Sequence, residues 1–96
     1  MNILVDAKPR EEKMILCDEE IVQAFQWGDE EAFNVLVKKY EYLIGLKIKS
    51  YFLLGGDRED LLQEARLGLY KAARDFKTEG KSSFRGFADL CITRQL

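Results

Sequence analysis

Histidine is missing from the 96 residues, and cysteine occurs only twice, at Cys17 and Cys91. Their separation matches no metal-ligand spacing, and without imidazole a zinc centre or a histidine-based acid–base mechanism lacks its usual groups. Cys91 lies among Phe87, Ala88 and Ile92, as a reduced core thiol would. A single proline and seven glycines exclude a fibrous or low-complexity polymer. No apolar run approaches the roughly 20 residues that span a bilayer, and residues 1–5 ahead of Asp6 are too short for a secretion signal. A cytoplasmic protein without a membrane partner is expected. Gly55-Gly56 is not followed by the lysine and hydroxyl residue of a phosphate-cradling loop. The acidic groups Glu19-Glu20, Asp29-Glu30-Glu31 and Glu59-Asp60 sit at helix starts, where the helix dipole accounts for them. No base–nucleophile pair emerges, so neither an enzyme nor a cofactor is expected.

What is present is charge and helical periodicity. Hydrophobic residues make up 47% of the chain and charged ones 33%, enough for a modest core in one small domain. The net charge of −2 conceals a split. Residues 1–64 carry 8 basic and 14 acidic side chains, whereas residues 65–96 carry 7 basic and 3 acidic. The C-terminal third can approach an anion such as nucleic-acid phosphate, although an ordinary solvated helix surface has the same composition.

Residues 1–17, with Pro9 and the charged run from Arg10 to Lys13, read as a flexible N-terminal arm, and residues 18–96 as the helical domain. Asp18, Ile21, Val22 and Phe25 predict a short capped helix ending near Trp27-Gly28. Asp29 opens a longer one, with Phe33, Leu36, Val37, Tyr40, Leu43, Ile44, Leu46, Ile48 and Phe52 at three- and four-residue spacing. Gly45 is a weak interior residue where that helix could bend. Gly55-Gly56 ends it. The last helix runs from Phe84, capped by Ser82 or Ser83, with Phe84, Phe87, Ala88 and Cys91 on one face and Ile92 on its flank. No β-alternation occurs. The expectation is an all-α compact bundle of about four helices, the C-terminal one truncated at Leu96.

The chain is organised around residues 57–76. Asp57 can cap this helix, and Leu61, Leu62, Ala65, Leu69, Ala72, Ala73 and Phe76 form one broad apolar face. The opposite face carries Asp60, Gln63, Glu64, Lys71 and Arg74, yet Leu67 and Tyr70 interrupt it. An apolar pair ringed by charge is either a partner-binding patch or a surface covered by another helix of the same domain.

Asp60-Leu61-Leu62-Gln63-Glu64-Ala65-Arg66-Leu67-Gly68-Leu69 resembles the core-binding helix of bacterial RNA polymerase sigma factors of the sigma-70 family. The run from Ser83 through Phe87 to Gln95 is similar to that family's promoter-melting segment and the start of its promoter-reading helix. Asp18-Glu19-Glu20-Ile21-Val22 and Gly28-Asp29-Glu30-Glu31-Ala32-Phe33 resemble the opening helices of the same domain, region 2. Within the family the likeness is greatest to the sigma-H group of stationary-phase and sporulation factors.

The resemblance implies an alternative sigma factor domain that recognises and melts the minus-ten promoter element during initiation. Asp60, Gln63 and Glu64 would bind the coiled coil of the largest subunit of core RNA polymerase, with Leu67 as the apolar centre. Phe84 and Phe87 occupy aromatic positions of the melting segment, facing mainly the non-template strand. A flipped base can stack on such a ring, or the ring can fill the core; Phe87 is the better base-facing candidate. Arg94 would read the upstream edge of the minus-ten element, where arginine can pair with guanine. Lys81 and Arg85 would contact backbone phosphate. An anti-sigma factor is a further implied partner. Leu90-Cys91 stands where housekeeping factors carry two tryptophans, which puts strong duplex opening by that wedge in question. The minus-thirty-five-reading domain does not occur in these residues, so docking without independent initiation is expected. Two rival readings use the same helices: a protein-interaction module that binds a regulator and never DNA, and a helix-turn-helix duplex binder. The connection over residues 77–82 is long for the latter.

Overall fold

The computed structural model describes residues 16–77, 80 and 82–96. Five helices occur among them: α1 (Asp18–Gln26), α2 (Glu30–Lys39), α3 (Glu41–Leu53), α4 (Arg58–Asp75) and α5 (Phe84–Gln95). No strand occurs among the described residues. Most of the expected N-terminal arm, residues 1–15, lies outside them. Of its last two residues, Leu16 packs against the core and Cys17 precedes α1 as the N-cap residue.

Local chemistry sets most helix ends. Asp29 Oδ1 accepts from the Glu31 amide at 3.1 Å to start α2. Asp57 Oδ1 accepts from the Glu59 and Asp60 amides at 2.9 and 3.2 Å to start α4, and Ser83 Oγ accepts from the Gly86 amide at 3.1 Å to start α5. Such caps satisfy amides that the first helical turn leaves unpaired. Gly55 has φ +99°, a conformation that lets the chain turn back from α3 to α4.

Two expectations change. The long second helix is divided at Tyr40, not bent at Gly45. Tyr40 adopts φ −96° and ψ 4°, and its ring is buried. The hydroxyl donates to Asp18 Oδ2 at 2.5 Å and the ring packs edge-on against Phe84, with centroids 5.8 Å apart. Contacts with α1 and α5 place this break, while the apolar periodicity runs straight through it. Asp18 is correspondingly the first residue of α1 and supplies no cap. It holds Tyr40 and pairs with Lys39 Nζ at 2.9 Å.

The core is built on α4, whose Ala65, Gly68, Leu69, Ala72 and Ala73 are buried. Its most extensive partner is α5, through Phe84, Ala88 and Ile92. The approach is close because Gly68 has no side chain: an added Cβ would lie 2.8 Å from Ile92 Cα and 3.0 Å from the Cys91 carbonyl oxygen. Helix α3 buries only Ile44 and Ile48 fully; Leu46 and Phe52, expected on its core side, are each 52% exposed.

Helix α1 fastens both ends of the α4–α5 connection. Gln26 Nε2 donates to the carbonyls of Ala73 and Phe76 at 2.9 and 2.8 Å, capping the C-terminus of α4. Glu19 Oε2 accepts from the Phe84 amide at 2.7 Å, capping the N-terminus of α5. These bonds fix where α5 begins relative to α4.

Candidate functional site

Two neighbouring surfaces carry the predicted residues. On the first, Asp60, Gln63, Glu64 and Leu67 are exposed on the outer side of α4, where none of the described helices closes over them. Leu67 is 41% exposed, an apolar side chain open to solvent within a polar ring. Tyr70 is equally exposed at the residue level, but its ring packs edge-on against Phe25 and Phe33, with centroids 5.7 and 5.5 Å apart. It forms the aromatic shoulder of the patch and ties it to α1 and α2. The three- and four-residue recurrence of core residues along α4 produces this division: one side fills the interior, the other is left to polar groups around a leucine.

The second surface is the outer side of α5. Phe87, Leu90 and Arg94 recur at three- and four-residue spacing and share one stripe. Phe87 is half-buried, its ring 5.8 Å from that of Phe76, while Leu90 and Arg94 are exposed. Arg85 is exposed as well. The acidic residue of this helix, Asp89, is paired with Lys47 Nζ of α3 at 2.6 Å, which also donates to Thr93 Oγ1 at 2.8 Å. That pairing engages the single acidic side chain of α5, so the helix itself supplies no other carboxylate to Arg85 and Arg94.

Phe84 departs from its predicted place. It is fully buried, between Tyr40 and Phe76, and cannot face a base in this structure. The face of α5 that points inward is centred on Phe84, Ala88 and Ile92, so that Ile92 is buried and Cys91 lies at the edge. Lys81 lies outside the described residues.

Burial, and then the Asp18 carboxylate, push the Tyr40 phenol well above its ordinary range. Burial raises the Cys91 thiol, with Arg94 opposing, so the thiol stays protonated. No group of metal-ligating side chains that could hold a metal ion occurs among the described residues, and no described helix is long and apolar enough to cross a membrane.

One residue that the pattern of apolar and charged positions did not single out joins the two surfaces. Gln95, on the last turn of α5, donates from Nε2 to Glu64 Oε2 at 2.6 Å and accepts at Oε1 from Lys71 Nζ at 2.9 Å. Nothing in the sequence marks it, since the contact spans 31 residues for Glu64 and 24 for Lys71.

The chain is 48% identical over 79 residues to the RNA polymerase sigma-H factor of Bacillus subtilis, covering 82% of this chain and 36% of that protein. The RNA polymerase sigma-H factor of Bacillus licheniformis is 47% identical over the same length. The ECF RNA polymerase sigma-E factor of Escherichia coli K12 is 36% identical over 69 residues, covering 72% of this chain and 35% of that protein. The chain thus spans about a third of the length of these relatives. No solved structure matches it significantly. Residues 36–96, which include all of α3, α4 and α5, match the family model described as Sigma-70 region 2. With that match and these relatives, the chain belongs to the sigma-70 family, on the sigma-H side of it.

Proposed function

We propose that this domain docks on core RNA polymerase through the outer face of α4 and presents the outer stripe of α5 to the separating strands of the minus-ten promoter element. It lends promoter specificity to an enzyme and carries no catalytic group of its own. The observation that supports this reading most is the exposure of Leu67 within the ring of Asp60, Gln63 and Glu64, beside the uncovered Phe87–Arg94 stripe. A leucine surrounded by polar groups excludes water at its centre while the rim sets orientation, which suits a docking contact with an α-helical coiled coil.

On α5, Arg94 is placed to read a base edge through paired hydrogen bonds, worth about 1–3 kcal/mol of discrimination. Phe87, about 10 Å away along the same side of the helix, offers a ring edge on which an unstacked base can rest. Arg85 supplies a phosphate contact that sets register. Phe84 has no part in this; it supports the helix from inside. The sigma-H relatives favour this reading over a regulator-binding module that never meets DNA.

The test is binding of the chain to core RNA polymerase and, in its presence, to single-stranded minus-ten DNA. Leu67→Asp is expected to weaken docking at least tenfold (about 1.4 kcal/mol or more) with unchanged helicity. Phe87→Ala with Arg94→Ala is expected to abolish salt-dependent DNA binding while docking persists. Docking indifferent to Leu67→Asp and to Gln63→Ala would show that the α4 face is not the polymerase contact.

A further inference from the structure

We propose that Gln95 is a positioning residue for both surfaces at once: it holds Glu64 ready for the docking partner and holds the last turn of α5, with Arg94, against α4. The inference rests on the docking and promoter-reading roles proposed above. The Gln95 amide lies between opposite charges of α4, donating to the Glu64 carboxylate at 2.6 Å and accepting from the Lys71 ammonium at 2.9 Å. A primary amide suits that gap because it carries a donor and an acceptor and no charge of its own. Both bonds involve an ionised partner and are therefore stronger than bonds between neutral groups.

Glu64 and Lys71 stand two turns apart on one side of α4, and Gln95 reaches between them from the neighbouring helix. Gly68 lies between the two turns and makes the reach possible. A Cβ at that position would sit 3.2 Å from Gln95 Cβ and 2.8 Å from Ile92 Cα. The glycine, the bridge and the close α4–α5 crossing are one arrangement.

Its consequence for docking is preorganisation. An exposed glutamate samples several rotamers, and a partner that engages it must freeze them. Gln95 freezes Glu64 beforehand while engaging Oε2. Its consequence for α5 is a fixed azimuth at the turn that carries Arg94, since a side chain anchored at both amide atoms cannot swing freely. The opposite flank of α5 is held separately, by Lys47 to Asp89 and Thr93. Lys47 does not touch the α4 docking residues, so it separates anchoring of α5 from anchoring of Glu64.

Two measurements decide the matter. The first needs no partner: in the NMR spectrum of the chain, the Gln95 side-chain amide protons are expected to be shifted and slow to exchange, and to lose both properties in Glu64→Ala. Identical amide signals in the two proteins would overturn the bridge. The second is affinity for core RNA polymerase. Gln95→Ala is expected to weaken docking roughly two- to tenfold, the cost of freezing one released side chain, and to narrow the preference for guanine at the base that Arg94 reads. Lys47→Ala is expected to leave docking unchanged. In a Glu64→Ala background, Gln95→Ala is expected to add no further loss, because both act through one contact. Wild-type docking by Gln95→Ala, or an equal additional loss in that background, would overturn the positioning role. Failure of Leu67→Asp to impair docking strikes the proposed function instead, and leaves the NMR result standing on its own.

Discussion

Gly68→Ala is expected to destabilise the protein although it places a better helix former in the middle of α4. Alanine in a helix interior is favoured over glycine by about 0.8–1 kcal/mol. Against that gain, the new Cβ would lie 2.8 Å from Ile92 Cα and 3.0 Å from the Cys91 carbonyl oxygen, where carbon–carbon contacts prefer about 3.5–4 Å. The obstructing atoms belong to backbone, so no side chain can rotate away. Helix α5 would have to retreat by nearly 1 Å, yet Glu19, Lys47 and Gln95 tether it. Overpacking of this kind costs about 1–3 kcal/mol, leaving a net loss of about 1 kcal/mol and at most about 2. Gly45 in α3 is the internal control, with nothing within 4 Å of its added Cβ. Gly45→Ala should therefore gain about 0.5–1 kcal/mol. Urea titration and thermal melting read both, and each kcal/mol moves the Tm of a domain this size by about 4–8 °C. The two variants should move in opposite directions. A Gly68→Ala protein as stable as Gly45→Ala would refute the close helix crossing on which the Gln95 bridge depends.

Phe84→Ala is expected to cost about 3–5 kcal/mol as a fully buried ring is deleted, and Phe87→Ala clearly less; equal losses in urea would mean that the two rings have been assigned to the wrong sides of α5. The Tyr40 phenol is raised in the fold by burial and by Asp18, so its contribution is fully present below about pH 10 and is lost above it, as the unfolded chain releases a proton that the folded one keeps. Stability measured between about pH 9 and 11 should fall more steeply for the natural chain than for Tyr40→Phe; parallel curves would contradict this. Gln26→Ala removes both donors to the Ala73 and Phe76 carbonyls and is expected to cost about 1–2 kcal/mol, with faster amide exchange at Phe76 as the local readout.

The all-α class and the central helix with its Asp57 cap were legible in the order of residues, because each depends on contacts three or four positions apart; whether another helix covers Leu67 was left open by the pattern, and the structure leaves it exposed. The division at Tyr40 was not. Its apolar neighbours keep helical spacing on both sides, whereas the contacts that hold Tyr40 are to distant residues, Phe84 and Asp18, the latter 22 residues away. The inward face of α5 was legible only in part: Phe84 and Ala88 lie on it as their spacing implied, but Ile92, expected on the flank, is buried while Cys91 is not. Glu19 and Gln26 read as ordinary residues of a short helix, yet they close the ends of α5 and α4.

By itself the sequence determined which segments are helical and which side of α4 is apolar, because periodicity and capping are properties of neighbours along the chain. It also carried the ordered runs by which the family is recognised. Tertiary structure alone decided that Ile92 rather than Cys91 is buried on α5, which charge neutralises Asp89, and that one amide on the last turn answers to two charges on another helix. Those outcomes follow from the distance and rotation between packed helices, set by a missing Cβ at Gly68 and by tethers spanning 31 to 65 residues.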